Sequence, residues 1–475
     1  MTSDSFSTAA LEAAQGAEPF AELIETLPEV IAVELEGGLI HGTLRDERVW
    51  AQLSLKWLPA GEDELEPDGR RRDALTPQGL AYRETALEFI REAARLDRRV
   101  CLSCDEREAR LAQEIADHIP QLEGIWPHSF STDGQTYALV GPQSPYHPLA
   151  DDAAAIVTLD LPDRARAAFA GRPIPAHVVG APNAPGPAFW AALRPHQWAK
   201  NLLVFLPMMA GQVWTLPSFA HSALAFAAFC LVASSVYALN DLLDLASDRA
   251  HPRKQERPFA SGALPLSWGR PMAVGLLLAG MAIALVTEPL FALVLAGYYL
   301  LTAAYSFYFK RKTILDICTL AGLYTIRIVA GSVATSIYLS VWLLALSIFL
   351  FLALAAIKRQ AELVDALGRG EQQPAGRGYR AEDLPLISQM AISSSYVAVL
   401  VLALYLNTPS VQELYATPAL LWGICLILLY WLSRAVMKTH RGEMHDDPII
   451  FAFKDRVSLV CVLAAAVLAV LAANF

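Results

Sequence analysis

The pattern of hydrophobic and polar positions changes character near residue 185. Before it, short apolar runs alternate with amphipathic stretches; after it come long apolar runs broken by short polar loops. In the first part EVIAVELEGGL, RRVCLSC, YALVG and AAIVTLD read as strands, each a short β-rich run bounded by turn residues. TALEFIREAARL and REARLAQEIADHI carry apolar residues at helical spacing between those strands. Such alternation predicts an α/β sheet domain. In the second part the runs are long enough to cross a bilayer, which takes about 20 apolar residues. About nine crossings are expected, starting near Lys200, Leu216, Pro265, Pro289, Ile314, Tyr338, Asp383, Thr417 and Arg456. The predicted architecture is a soluble α/β domain over 1–172, a Pro-rich linker over 173–188 and an all-α polytopic membrane domain over 189–475. A length of 475 residues also calls for two units.

Loop charges test the count of crossings. One set of loops holds Arg249, Arg253, Lys254, Arg257 and Arg270, then Lys310, Arg311 and Lys312. Later members hold Lys358, Arg359, Arg369, Arg377 and Arg380, then Arg434, Lys438, Arg441 and Lys454. The alternating loops GQVWTLP, VTEP, ATSIYLS and LNTPSVQE contain neither Lys nor Arg. Cytoplasmic loops are the basic ones, so the amino terminus is expected inside, the carboxy terminus outside, and the number of spans odd. MTSDSFSTAALEAAQ lacks the basic start and apolar core of a signal peptide. The expectation is therefore a multi-pass protein of the inner or plasma membrane whose α/β domain and basic loops are cytoplasmic. The net charge of -10 reflects an acidic excess in the first part, which argues against nucleic acid as a partner. The 6 cysteines show no pairing framework, and Cys101 and Cys104 form a C-x-x-C without a second ligand pair.

The basic loops also carry the chemistry. The second span ends in SSVYALNDLLDLASDRAHPRKQERPFASGALP, where Asn240, Asp241, Asp244 and Asp248 fall on one helix face. Like charges at that spacing repel, and a divalent cation removes the penalty. Oxygen ligands that leave positions open for phosphate suit magnesium. Arg249, Arg253, Lys254 and Arg257 follow directly, and metal beside fixed cations is what a diphosphate leaving group requires.

N-D-x-x-D-x-x-x-D followed by R-x-x-x-x-R-P-x-x-x-G resembles the first aspartate motif of the UbiA superfamily of intramembrane prenyltransferases. Asn240, Asp241, Asp244, Asp248, Arg257 and Pro258 match it residue by residue. LRPHQWAKNLLVFLP, with Arg194, Trp198 and Lys200, resembles the first helix of one branch, and Tyr305 and Lys310 its Y-x-x-x-x-K segment. The resemblance covers about 190 to 475. Where ordinary members carry a second aspartate-rich motif, this chain reads AAIKRQAELVDALGRG, with Lys358 and Arg359 ahead of Glu362 and Asp365. That departure, with GRGYRAEDLP and DDPIIFAFKDRVS, is similar to the decaprenyl-phosphate phosphoribosyltransferases. The resemblance implies transfer of 5-phosphoribosyl from 5-phosphoribosyl diphosphate to a polyprenyl phosphate, giving polyprenylphosphoryl-5-phosphoribose and diphosphate. It implies Asp241, Asp244, Asp248 and Glu362 as magnesium ligands, and Lys200, Arg257, Tyr305, Lys310, Arg327, Lys358, Arg359 and Glu362 around the substrate phosphates and ribose. The alternative is a prenyltransferase acting from a prenyl diphosphate onto an aromatic or other lipophilic acceptor, against which the missing second motif counts. A transport role is disfavoured because transporters place their charges near the midplane.

Asp316, near the start of the fifth span, and Arg327, deeper in it, are either an intramembrane ion pair or substrate contacts. Asp447, Lys454, Asp455 and Arg456 match the branch motif, and a structural cap explains them nearly as well. In the first part the residues aligned with the D-x-D-G-T of haloacid dehalogenase-like phosphohydrolases are Glu34, Leu35, Glu36, Gly37 and Gly38. Glutamate is one methylene too long for an aspartyl nucleophile. Ser103 fits the second motif, and Asp151 and Asp152 are the candidates for the fourth. The domain therefore resembles a degenerate phosphohydrolase, kept as a scaffold or for homo-oligomerisation.

Overall fold

A computed structural model describes residues 18–57, 75–129, 135–144, 146–160, 169, 174–179, 185–251, 254–370, 377–444 and 448–474. The chain divides into two compact units, Met1–Leu193 with Tyr237–Ala273, and Arg194–Val236 with Val274–Phe475.

The first unit is built on a six-stranded sheet. Its strands are β1 (Val30–Glu34), β2 (Arg99–Cys104), β3 (Gly124–Pro127), β4 (Tyr137–Val140), β5 (Ala155–Leu159) and β6 (Ala176–Val179). They run in the order β3-β2-β1-β4-β5-β6 with every pairing parallel. β1, β4 and β5 are buried along their whole length, as expected of strands covered on both faces. Ile31, Val33, Leu102 and Val140 pack with Phe89, Ile90 and Ile115 of the helices Glu84–Arg95 and Ala109–His118. Sequence order reverses between β1 and β4, and a crevice at the carboxyl ends of the strands opens at such a point. Gly38 and Gly141 let the loops after these strands touch: a Cβ on Gly141 would lie 2.5 Å from the Gly38 Cα.

β3 and β6 were not expected. Each has four residues, and Gly and Pro in GIWP hide the strand signal of β3. β6 lies inside the stretch expected to be a linker, so that stretch contributes an edge strand. Cys101 and Cys104 are both free, and their odd separation along β2 points them to opposite faces.

Among the described residues, eight helices are long and apolar enough to cross a membrane: Leu216–Leu243, Leu266–Thr287, Pro289–Phe307, Leu315–Thr335, Val341–Gly368, Ala381–Leu406, Pro418–His440 and Arg456–Asn474. The expected first crossing from Lys200 is not one of them. Its residues form a 3₁₀ helix over Pro195–Phe205 and a short α-helix over Leu206–Ala210. Pro195 begins the first piece and Pro207 is the second residue of the other, and neither can donate a backbone hydrogen bond. The irregular segment packs closely on the helix Leu315–Thr335, where a Cβ on Gly331 would come within 2.0 Å of the Val204 carbonyl oxygen. Ile317, Tyr324, Phe351, Leu354 and Leu432 form one core of the second unit, and Val204, Phe229, Phe291 and Leu295 form another.

Candidate active site

The first cluster forms where the helix Leu216–Leu243 ends. Asn240 and Asp241 lie in its last turn, Asp244 at the break that follows, and Asp248 in the short helix Leu245–Arg249. Asp241 and Asp248 are each 2% exposed and converge on one cationic nitrogen. Arg257 Nη1 donates to Asp248 Oδ2 at 2.5 Å and to Asp241 Oδ1 at 3.2 Å. Burial pushes the Asp248 carboxyl above its ordinary value, with Arg257 working against that shift. Two buried carboxylates already aimed at a single positive group form an oxygen-only set of the kind magnesium takes, so these residues fit the ion. Arg253 lies outside the described residues.

Arg249, next to Asp248, turns toward the α/β domain. Its Nη1 and Nη2 each donate to a Glu47 carboxylate oxygen at 2.9 Å, Nη1 also to the Gly79 carbonyl at 2.5 Å, and Nε to the Ala260 carbonyl at 3.0 Å. Glu47 is 3% and Arg249 7% exposed. The basic residue after the motif is thus committed to a buried, bidentate pair.

A second cluster lies in the other unit. Asp316 and Arg359 are fully buried, with Arg359 Nε 2.5 Å from Asp316 Oδ2. Tyr305 Oη donates to Asp316 Oδ1 at 2.8 Å and accepts from Arg359 at 3.0 Å and from Arg377 at 3.2 Å. Glu362 pairs with Arg359 and, at 3.2 Å, with Arg377. The helix period places Arg359 and Glu362 on one face, and the neighbouring helix Leu315–Thr335 brings Asp316 to meet them. Tyr305, Arg359 and Glu362, singled out from the sequence, are therefore brought together. Two guanidiniums already neutralise Glu362, and the Arg359 guanidinium is spent on internal partners. Sequence reasoning did not single out Arg377, although it lies in a basic loop and within GRGYRAEDLP.

The remaining residues divide by surroundings. Lys310 sits in the 3₁₀ turn Phe309–Arg311, and Lys358 is half-buried on the helix Val341–Gly368. Lys200 Nζ lies 5.8 Å from the centroid of the Tyr324 ring. Arg327 donates to Asn201 Oδ1 and to Tyr298 Oη, both at 2.9 Å, and to the Leu323 carbonyl. The Tyr298 ring centroid is 4.8 Å from its guanidinium carbon. The ion-pair partners of Asp316 are thus Arg359 and Arg377. Asp455 forms a bidentate pair with Arg434 at 2.8 and 2.9 Å and accepts from the Ser458 backbone at 2.8 Å. It caps the last span, and these bonds hold its carboxyl down to about 2. His445, Asp446 and Asp447 lie outside the described residues.

In the α/β domain Glu36 Oε1 accepts the Leu44 backbone N–H at 2.8 Å and so caps the following helix. Ser103 Oγ donates to Glu34 Oε2 at 2.8 Å.

Several known proteins are similar to this chain. An uncharacterized protein y4nM of Sinorhizobium fredii is 31% identical over 404 residues, covering 81% of this chain and 78% of its own. That match is too long for the membrane part alone, so the relative shares part of the α/β domain. Nodulation protein NoeC of Azorhizobium caulinodans is 40% identical over 277 residues, covering 58% of this chain and 90% of its own. A decaprenyl-phosphate phosphoribosyltransferase of Mycolicibacterium smegmatis is 42% identical over 178 residues, covering 36% of this chain and 56% of its own. The profile of the UbiA prenyltransferase family matches residues 201–454, across both clusters, and the chain belongs to that family.

Proposed function

We propose that this protein transfers 5-phosphoribosyl from 5-phosphoribosyl diphosphate to a polyprenyl phosphate. The observation that carries the reading is the 42% identity over 178 residues to an enzyme of that name. The second cluster supports it: Lys358 and Arg359 occupy the stretch where ordinary members bring further carboxylates, and Arg377 joins them through Glu362, a basic set that suits substrates richer in phosphate. In the reaction an oxygen of the lipid phosphate forms a bond to ribose C1, and diphosphate leaves with the electron pair of the broken C–O bond. No general base is needed, because the lipid phosphate is already an anion. Asp241, Asp244 and Asp248 would hold magnesium, which when bound would supply charge to the departing diphosphate. Arg257 neutralises the same carboxylates and lends charge to the leaving group. Lys200, Lys310, Lys358 and Arg377 bind phosphate oxygens, while Arg359 and Glu362 fix the position of Arg377 and Tyr305.

The same reading places the basic loops and the α/β domain in the cytoplasm. Pro195–Phe205 in 3₁₀ form and Leu206–Ala210 in α form rise about 30 Å by their residue pitch, close to the hydrocarbon thickness. Irregular backbone is tolerated at that depth when protein covers it, as the contact at Gly331 does. This segment is the ninth crossing that the loop charges require.

The test is a donor swap with detergent-purified protein and magnesium. Labelled 5-phosphoribosyl diphosphate with polyprenyl phosphate is compared with labelled prenyl diphosphate and an aromatic acid. Label entering lipid from the ribose donor alone, and lost with EDTA, supports the proposal. Transfer from the prenyl donor alone overturns it.

A further inference from the structure

Three side chains of the α/β domain meet at the carboxyl edge of the sheet, at the point where strand order reverses. Glu34 ends β1, His128 directly follows β3, and His147 lies in the loop after β4. One ligand atom from each comes within 4.8 Å of the others. His128 Nε2 is 3.1 Å and His147 Nε2 2.9 Å from Glu34 Oε2, and the two rings meet edge to face at 4.7 Å. Donor atoms around tetrahedral zinc stand about 3.3 Å apart, given bonds of about 2.0 Å. The separations here are a few tenths of an ångström shorter.

His147 supplies the decisive detail. Its side chain is 10% exposed and Glu34 is 7% exposed. His147 Nε2 is buried and faces the Glu34 carboxylate at 2.9 Å. A metal ion at the shared point would take this nitrogen, His128 Nε2 and the carboxylate together. The surroundings also suit a ligand set. Ser103 Oγ, fully buried, donates to Glu34 Oε2 and fixes the carboxylate's orientation. The Leu149 N–H lies 3.2 Å from His147 Nδ1 and holds the ring in its present pose. That contact must lengthen when a metal takes Nε2, because Nδ1 then carries the proton.

We infer that Glu34, His128 and His147 form a binding site for one divalent transition-metal ion, zinc being the best fit. Two imidazoles and one carboxylate are the donors zinc prefers, whereas magnesium takes oxygen. Three protein ligands leave a fourth position open, as in zinc sites that bind a water or a further ligand. The glutamate that cannot serve as an aspartyl nucleophile thereby acquires another use.

The experiment uses the full-length protein, purified in detergent through a tag without histidine, stripped of metal and dialysed against zinc. Metal content is measured for the parent, His128→Ala, His147→Ala and the double variant. The expected result is about one zinc per chain in the parent that the double variant lacks. Ser103→Ala should weaken binding about 10- to 100-fold by freeing the carboxylate. Cobalt substitution of the parent gives a readout independent of any variant's folding, since a site of this kind yields the intense visible bands of a four-coordinate ion. A parent that holds no more zinc than the double variant, or a cobalt spectrum typical of six oxygen ligands, overturns the inference. Metal content is read without turnover, so the result stands apart from the transferase assignment.

Discussion

Replacing Arg359 with Met probes the second cluster most directly. Asp316 is 0% and Arg359 1% exposed, so the substitution strands a carboxylate away from water. Breaking a buried pair by removing one partner costs about 3–5 kcal/mol. Asp316 would keep the Tyr305 hydroxyl at 2.8 Å and the weaker support of Arg377 at 3.8 Å. Both remnants argue for the lower end, about 3 kcal/mol. Adding Asp316→Asn removes the stranded charge, and buried pairs replaced on both sides are often close to neutral. The double variant should therefore recover most of the loss. Equilibrium unfolding in mixed micelles, run as a double-mutant cycle, reads both numbers. A single variant as stable as the parent, or a double variant no better than the single one, would refute the claim that this pair is a tightly coupled buried element.

Three further outcomes are expected. Asp241→Ala should abolish transfer while the protein stays folded, with turnover and thermal unfolding measured side by side; unchanged turnover sinks the assignment of the first cluster. Glu47→Gln should destabilise the Arg249 junction by about 3 kcal/mol and lower turnover from a position in the α/β domain, which an activity assay on the purified variant checks. His41 is held down to about 4, mainly by burial and then by Arg83 and Arg249. A histidine kept neutral in the folded state leaves the unfolded chain to bind the extra proton, so stability falls as pH drops from about 6.5 to 4. The loss is at most about 3–4 kcal/mol; thermal scans across that range should show a shallower fall in His41→Gln, and parallel curves would contradict the prediction.

The sequence by itself determined the parts of this protein that rest on short-range periodicity and charge. Alternating runs announced an α/β sheet, and long apolar runs announced the spans. Asp241 and Asp248, which converge on Arg257, were legible as neighbours because their spacing of seven suits one helix face. Tertiary structure decided what distant residues do to one another. Asp316 and Arg359 lie 43 positions apart, and only the packing of their two helices joins them. Arg249 read as one more phosphate-facing cation until its guanidinium was found on Glu47, 202 positions away. Glu34, His128 and His147 come from three separate strand ends, and no spacing rule connects them, because loop lengths between parallel strands carry no chemical signature. The helical form of the first expected crossing was hidden for a related reason: its composition is apolar enough to span, while Pro195 and Pro207 and the close contact at Gly331 set its form.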